Sequence, residues 1–241
     1  MVSPSPLRHR PAGERFLSRN DWLESWHSFS FAGHDDPSWR SFGPLRVIND
    51  DRIAAGRGFG LHPHRDMDII TVMIEGQIDH RDSLGSEGRL LAGDVQAMAA
   101  GTGIQHSEIN GGDHPCRLLQ IWIEPAATGL PPRYAQRSIT LGAGWTPLVA
   151  PAGSGATTLS LSRPIRLWRA QPKAGQALTL PLQESSLGWI QVINGRLHLK
   201  PLGTDDLPTL AAGDGLGFAA AQVQELTAIE GEADLLLFQL T

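Results

Sequence analysis

Three short segments of this chain occur twice, in the same order and about 120 residues apart. Each contains a strand-like apolar run or a turn signal, such as Glu75-Gly76 in the first copy and Asn194-Gly195 in the second. The segments at 72–76, 91–94 and 118–123 resemble those at 191–195, 211–214 and 235–240. Three ordered matches at nearly one offset indicate a tandem duplication, so the fold must be one that fits twice within 241 residues.

The repeated unit consists of short strands. The chain has 27 glycines and 17 prolines, and its hydrophobic content of 41% argues against disorder, so this excess indicates many tight turns. Apolar runs at 68–74, 95–99 and 116–123 are bounded by such turns. Strands of about four to eight residues at this spacing are typical of an antiparallel sandwich or barrel. The expected fold class is therefore all-β, with two tandem barrels.

Local signals predict the details of this fold. The polar segment 49–52 lies between short apolar runs and predicts a hairpin turn. Short helices are expected only at 21–24, which resembles a capping box, and within 132–137. Gly, Ala and Pro dominate 140–158, which predicts a linker between a first domain, 1–140, and a second, 141–241.

Two motifs in the first copy carry metal-binding side chains. They are His62-Pro63-His64 and, further along the chain, His106-Ser107-Glu108. Strand side chains alternate between faces, so both ends of each motif lie on one face. If the two strands are neighbours, three imidazoles and one carboxylate converge. The sequence therefore predicts a metal site formed by His62, His64, His106 and Glu108.

The second copy lacks these ligands. Moved by the repeat offset, the four positions fall near Leu182, Glu184, Leu226 and Ala228, and His198 is the only histidine after residue 140. The second barrel is therefore expected to be a structural or lid domain without a metal.

The ligand types restrict the metal and its chemistry. Three neutral imidazoles and one carboxylate leave two open positions in octahedral coordination, which a closed structural zinc site does not have. This set favours Fe(II), while Ni, Co, Mn, Cu or Zn are also possible. Open positions on iron allow O₂ and an oxygen-bearing organic substrate to bind together. Glu108 could also act as a general base toward a substrate hydroxyl.

The remaining histidines and loops predict less. His9, His34 and His114 are expected at the surface or in the core, and His80 is expected to be a turn histidine bonded to backbone. The glycine-rich segment 56–60 lacks the following helix of a nucleotide-binding loop.

Composition limits the partners and the compartment. The formal net charge is −5 and no basic cluster is present, which argues against direct nucleic-acid binding. No apolar run approaches the length of a membrane-spanning helix, and residues 1–19 lack the apolar core of a signal peptide. The single Cys116 excludes an internal disulfide. We therefore expect a soluble, cytoplasmic monomer with a small-molecule substrate.

Several motifs together resemble the pirin family of bicupins. They are the His62-Pro-His64 run, His80-Arg-Asp-Ser-Leu-Gly85, Gly93-Asp94-Val-Gln and Gly101-Thr-Gly-Ile-x-His106-Ser-Glu108. The resemblance is dense from about residue 22 to residue 137. It is closest to the bacterial pirin-like proteins with quercetin 2,3-dioxygenase activity.

This resemblance implies two cupin barrels, of which the first holds a metal through His62, His64, His106 and Glu108 and the second is degenerate. It also implies oxidative ring opening of a flavonol such as quercetin by O₂. Other cupins place a glutamate where this chain has Asp68, which the pirin pattern does not use as a ligand. The alternative function is a non-enzymatic metal-binding redox sensor or regulator that acts through a partner.

Overall fold

The structure is a computed structural model that describes residues 7–154, 158–203 and 206–241. Strands dominate it, and the helices of the described residues are three short 3₁₀ turns, at Ala12–Glu14, Pro37–Trp39 and Ala220–Gln222. None of these helices is long and apolar enough to cross a membrane. The all-β fold class with few short helices is confirmed.

The described residues form two compact units. The N-terminal unit contains residues 16–140 and 151–164, and the C-terminal unit contains the residues before 16 together with 141–150 and 165–241. Residues 151–164 therefore pack with the N-terminal unit although they follow a stretch of the C-terminal one. The predicted domains 1–140 and 141–241 stay a prediction.

The N-terminal unit contains two antiparallel sheets. The first has seven strands in the order β12-β9-β6-β11-β4-β3-β2, and the second has four in the order β5-β10-β7-β8. The strands are β2 Phe16–Arg19, β3 Leu23–His27, β4 Leu45–Ile53, β5 Gly58–His64, β6 Asp68–Glu75, β7 Gln77–Asp82, β8 Glu87–Leu91, β9 Asp94–Ala99, β10 Ile104–Ile109, β11 Cys116–Ile123 and β12 Arg133–Ser138. Met73 and Leu118 of the large sheet share one apolar cluster with Ile78 and Leu90 of the small sheet, so the core lies between the sheets.

The C-terminal unit is built on one sheet of eight strands. Its main order is β1-β18-β16-β19-β14-β13, while β15 pairs with β19 and β17 with β16. The strands are β1 Arg8–Arg10, β13 Thr146–Val149, β14 Arg166–Ala170, β15 Ala177–Thr179, β16 Leu187–Pro201, β17 Leu210–Ala211, β18 Gly215–Ala219 and β19 Val223–Leu240. The long strands β16 and β19 pair along their length through several bulges, which lets the sheet bend around one apolar cluster.

The two units share the turn geometry that the internal repeat predicts. Asp94 accepts a hydrogen bond from the Leu91 N–H at 2.8 Å, and Asp214 accepts one from the Ala211 N–H at the same distance. The glycine before each aspartate has a positive φ, 91° for Gly93 and 87° for Gly213. The repeated Ala-Gly-Asp segments therefore form the same turn in both copies.

Three local predictions were wrong. The expected hairpin turn at 49–52 is part of the continuous strand β4, because its polar side chains have buried partners: Asp50 pairs with Arg117 at 2.8 Å. Segment 21–24 forms a tight turn and the start of strand β3 rather than a helix, because the chain folds back there to pair β3 with β2; the side chain of Asn20 accepts from the N–H groups of Trp22 and Leu23 in this turn. The expected helix within 132–137 is the edge strand β12.

The predicted linker at 140–158 is partly ordered into sheet structure. It contains strand β13, which pairs with β14 of the C-terminal unit. Residues 155–157 of this linker lie outside the described residues.

Gly195, which lies within the bulged strand β16, is expected to contribute to stability because its backbone lies against a neighbouring strand. Its φ is +80°, and a Cβ there would come within 2.7 Å of the Ala233 Cα. Gly231, in the same unit, also has a positive φ of 61° but has open space around it. Gly195→Ala should lower the free energy of unfolding by about 1 kcal/mol because of the positive φ, a cost common to both sites. Overpacking against Ala233 should lower it by about 1–3 kcal/mol more.

Gly231→Ala is the matched control for that experiment, and urea unfolding of both variants gives the comparison. If Gly195→Ala and Gly231→Ala lower the free energy of unfolding equally, the close approach at Gly195 does not contribute to stability.

Candidate metal centre

Strand pairing brings the two predicted motifs side by side. Strand β10 lies between β5 and β7, with His106 opposite His62 on one side and Glu108 opposite His80 on the other. A bulge follows His106 in the pairing with β5. Because the motif residues alternate along their strands, their side chains share the inner face of the small sheet.

The three predicted imidazoles form one cluster. The ring centroids of His62 and His106 are 4.4 Å apart, and those of His64 lie 4.7 Å from His62 and 4.9 Å from His106. One ring nitrogen from each residue lies within 4.8 Å of the other two. This is a separation that one metal ion can bridge.

A second trio contains the predicted carboxylate. Potential ligand atoms of His80, His106 and Glu108 also lie within 4.8 Å of one another. His106 therefore belongs to both trios and lies between the other members. All three residues of this second trio are buried, whereas His62 and His64 are half-buried, so the cluster opens to solvent on the β5 side.

The environment of His106 fits a metal ligand. Its side chain is fully buried, and among the described residues neither ring nitrogen has a hydrogen-bond partner. Burial, followed by the neighbouring His62, His64 and His80, lowers the pKa of His106 to about 2. Burial and His62 likewise lower the pKa of His64 to about 4. Both rings are thus neutral at physiological pH, the protonation state in which imidazole binds metals.

The carboxylate of Glu108 is held by three side-chain donors from the large sheet. Gln96 Nε2 donates to Oε1 at 2.5 Å, Thr71 Oγ1 to the same oxygen at 3.3 Å, and Gln120 Nε2 to Oε2 at 3.0 Å. Burial raises the pKa of Glu108, while His80 and the hydrogen bond from Gln96 oppose that shift. A buried carboxylate in this position is complementary to a cation.

His80 differs from its predicted role. It is buried, and its Nε2 bonds to the Asp82 carboxylate at 3.1 Å rather than to backbone, so the predicted turn histidine is wrong. Its ring stacks on Tyr134 with centroids 4.2 Å apart. The Tyr134 hydroxyl in turn donates to Gln96. His80 is therefore connected to the groups that hold Glu108.

Aromatic rings border the open side of the cluster. Trp122 meets the ring of His64 edge-on at 5.0 Å, and Phe31 meets Trp122 at 5.4 Å. Phe59 lies 6.3 Å from His62. Phe59 thus lies beside the cluster, and Phe31 is connected to it through Trp122.

A cavity of about 430 Å³ is lined by His64 and by neighbouring residues of β5 and β10. Pro63 and Gln105 line it, and alternation along β5 and β10 points these residues away from the histidine cluster. The open side beside Trp122 is the better approach to the cluster.

Sequence reasoning missed the residues that support Glu108. Thr71, Gln96 and Gln120 are single polar residues within apolar strands, and the register pairs Thr71 with both Gln96 and Gln120. An isolated polar residue in a buried strand needs a buried partner, which is the signal that could have identified them. Asp68, which the pirin pattern does not use as a ligand, accepts two hydrogen bonds from Ser162.

Comparison with known proteins identifies the family. Residues 10–123 match the Pirin family model, and residues 148–240 match the model of the quercetinase C-terminal cupin domain. A quercetin 2,3-dioxygenase of Escherichia coli K12 is 39% identical over 233 residues, which cover 96% of this chain and 97% of that protein. The chain belongs to the pirin family. A pirin-like protein of Caulobacter vibrioides is 38% identical over 90% of this chain and 91% of its own.

Solved pirin structures agree with this fold. YhhW from Escherichia coli superposes with a TM-score of 0.90 at 36% identity, covering 98% of this chain and 97% of that one. The bacterial pirin YhhW in complex with nickel(II) gives 0.89 at 36% identity, covering 97% and 98%. The predicted resemblance to pirins with two cupin units, and to quercetin 2,3-dioxygenases among them, is confirmed.

The buried pair of His80 and Asp82 is expected to stabilise this pirin. Asp82 accepts from the backbone N–H groups of Leu84 and Ser86 as well as bonding to His80. Asp82→Ala should lower the free energy of unfolding by about 2 kcal/mol, because it leaves the buried His80 without its charged partner. Asp79→Ala is the control on the same strand, since its partner Arg89 is exposed and such pairs contribute less than about 1 kcal/mol. Chemical unfolding measures both, and equal losses would contradict the expected role of the pair.

Proposed function

We propose that this pirin is a metal-dependent dioxygenase that cleaves flavonols such as quercetin with O₂. The observation that carries the proposal is the position of His106. It is a buried imidazole that has no hydrogen-bond partner among the described residues and that belongs to both trios of potential ligands. The name of the Escherichia coli relative, 39% identical along nearly the whole chain, supports the same activity.

The proposed ligands are His62, His64, His106 and Glu108, which join the two trios through His106. His80 is left outside the set because the pirin pattern does not include it; its Nε2 bonds to Asp82, and its Nδ1 has no hydrogen-bond partner among the described residues. The nickel(II) complex of the bacterial pirin YhhW supports a single divalent metal site. Three imidazoles and one carboxylate suit Fe(II), which we favour, and also accept Ni, Co, Mn, Cu or Zn.

When bound, the metal ion supplies Lewis acidity toward a flavonol hydroxyl and the redox chemistry that reaction with O₂ requires. The protein supplies the proton transfer and the surroundings. Glu108 accepts the proton of the substrate 3-hydroxyl on a carboxylate oxygen, and burial raises the pKa of this carboxyl. Gln96, Thr71 and Gln120 hold that carboxylate at a fixed orientation.

Trp122 and Phe31 bind the planar substrate in this proposal. Their rings border the open side of the histidine cluster. Aromatic faces bury much apolar area with little loss of side-chain entropy, and a flavonol seated on them would exclude water from the reacting carbons.

Removal of one proposed ligand should abolish metal binding and turnover together. The Glu108→Ala and His62→Ala variants should each fail to bind stoichiometric Ni(II) or Fe(II). His114 is exposed, so the His114→Ala variant should bind both metals like the unchanged protein. Anaerobic reconstitution with each metal, followed by metal analysis and O₂ uptake with a panel of flavonols, measures both properties. Unchanged quercetin consumption in either ligand variant would refute the proposed site.

The same experiment separates the enzyme from the alternative function. A regulatory or sensor protein would bind the metal with the same ligands but would show no O₂ uptake with any flavonol.

If its amide donors hold Glu108 in position, the removal of one of them should weaken metal binding. Gln96→Leu removes one donor to the carboxylate and should weaken Ni(II) binding by about 10–100-fold. Gln136→Leu is the matched control, because Gln136 contacts the same Tyr134 hydroxyl but not Glu108. Titration calorimetry of the two proteins compares them, and an equal affinity for both would show that Gln96 does not support the site.

A further inference from the structure

A second polar network lies in the N-terminal unit, outside the metal cluster. Ser25 Oγ donates to Asp51 Oδ1 and lies 3.3 Å from His27 Nδ1. His27 Nε2 lies 2.8 Å from Ser18 Oγ, which lies 3.3 Å from His34 Nε2. These five residues form a continuous chain of hydrogen-bonding groups, hereafter the Asp51–His34 chain.

Neighbouring groups give the chain one direction. Asn49 Oδ1 lies 2.8 Å from His27 Nδ1 and can only accept, so Nδ1 carries the proton and Nε2 accepts one. Ser18 Oγ therefore donates to His27 Nε2 and accepts from His34 Nε2. The hydroxyl of Ser25 is committed to Asp51. The hydroxyls of Ser18 and Ser25 thus both donate toward the carboxylate end, while the Nδ1–H of His27 lies 2.8 Å from Asn49 Oδ1 and 3.3 Å from Ser25 Oγ and is shared between them.

The two ends of the chain have different environments. Asp51, Ser25 and His27 are at most 2% exposed, while His34 is half-buried and meets solvent. Burial raises the pKa of Asp51 to about 7, with smaller upward contributions from Asp50 and Glu108 and an opposing one from Ser25. Asp51 can therefore gain or lose a proton near neutral pH, and its charge interacts with that of Glu108.

The turn that carries His34 is conformationally strained. Ala32 has a φ of 49°, one of two positive values among the described non-glycine residues. The His34 N–H bonds to the Phe31 carbonyl across this turn, and the His34 ring stacks on Phe16 at 5.2 Å. Such strain is retained where the surrounding structure fixes a conformation, and here it places His34 at the end of the chain.

We propose that the Asp51–His34 chain is a proton relay between solvent and the interior of the barrel. His34 takes a proton from water at Nδ1 and releases one from Nε2 to Ser18, whose own proton passes to His27 Nε2. His27 then releases its Nδ1 proton to Ser25, whose hydroxyl proton passes to Asp51. Each N–H or O–H bond that breaks is replaced by one that forms, so one proton moves from solvent to the carboxylate.

The role of the relay in turnover rests on the proposed function. A flavonol that binds as an anion gives up a proton inside the barrel, and that proton must leave or return to the product. Glu108 takes that proton, and Asp51, whose charge interacts with that of Glu108, would take up or release a proton through His34 as the charge of Glu108 changes. The relay itself can be tested without any substrate.

Ser18 is the position at which the relay can be broken with little effect on packing. It lies on the half-buried strand β2, and its hydroxyl is the only group that joins His27 to His34 in the described network. Ser18→Ala removes the hydroxyl, and Ser18→Thr restores one at the same Cβ. Asp51→Asn removes the carboxyl at the far end.

Infrared difference spectroscopy of the metal-loaded protein measures the relay directly. Below pH 7 the protonated Asp51 should give a carboxylic acid C=O band that Asp51→Asn removes, and transfer to D₂O should shift this band. Ser18→Ala should slow that shift by about tenfold or more, and Ser18→Thr should restore the rate of the unchanged protein. An unchanged exchange rate in Ser18→Ala, or no band that depends on Asp51, would overturn the relay.

Turnover supplies the second readout. Ser18→Ala should lower kcat about tenfold with little change in KM, and imidazole buffer should restore the rate by carrying protons in place of the chain. A loss that imidazole does not restore would assign Ser18 a structural role and overturn the relay's part in turnover. If the unchanged protein does not consume flavonols, the proposed function fails, while the exchange measurement still decides the relay.

Discussion

The buried carboxylate of Glu108 is the constraint on which the N-terminal unit depends. An ionised group in an apolar interior costs several kcal/mol unless hydrogen bonds or an opposite charge compensate it. Three neighbouring strands of the large sheet each supply one donor, and the register places Gln96, Thr71 and Gln120 in a row across β9, β6 and β11. The same row continues through Asn49 to His27, where the Asp51–His34 chain begins. The buried carboxylate thus explains the polar residues on these three strands of the large sheet.

The C-terminal unit has positions that correspond to these residues but no carboxylate at the position of Glu108. Moved by the repeat offsets, Thr71, Gln96 and Gln120 correspond to Ile190, Leu216 and Leu237, and these pair with one another in the same order. The positions of His62, His106 and Glu108 correspond to Leu182, Leu226 and Ala228. All six residues of the second copy belong to, or pack against, one apolar cluster. The ligands and their supporting residues were therefore replaced together, because a donor without its carboxylate would be an unsatisfied polar group in a core.

Sequence patterns predicted the parts of this fold that depend on local chemistry. Strand β11 begins at Cys116 and ends at Ile123, as the apolar run indicates, and the turns at Gly93 and Gly213 follow from the repeat. The hairpin at 49–52 was wrong because local polarity resembles a turn, whereas distant partners such as Arg117 and Ser25 satisfy those side chains inside the sheet. His80 was misassigned for the same reason. The pairing of polar residues far apart in sequence is a tertiary property, and one sequence contains no direct signal for it.

The two halves of the proposed ligand set differ in burial, and this difference follows from their strands. His106 and Glu108 lie on β10, which is paired on both sides, while His62 and His64 lie on the edge strand β5. Gly58 allows β5 to approach β10 there, because a Cβ at this position would lie 2.2 Å from the Glu108 carbonyl oxygen. Glu108 is held by hydrogen bonds to the large sheet and His106 is fully buried, whereas His62 and His64 are half-buried. The proposed ligand set therefore combines a buried carboxylate and imidazole with two histidines on an edge strand that is open to solvent.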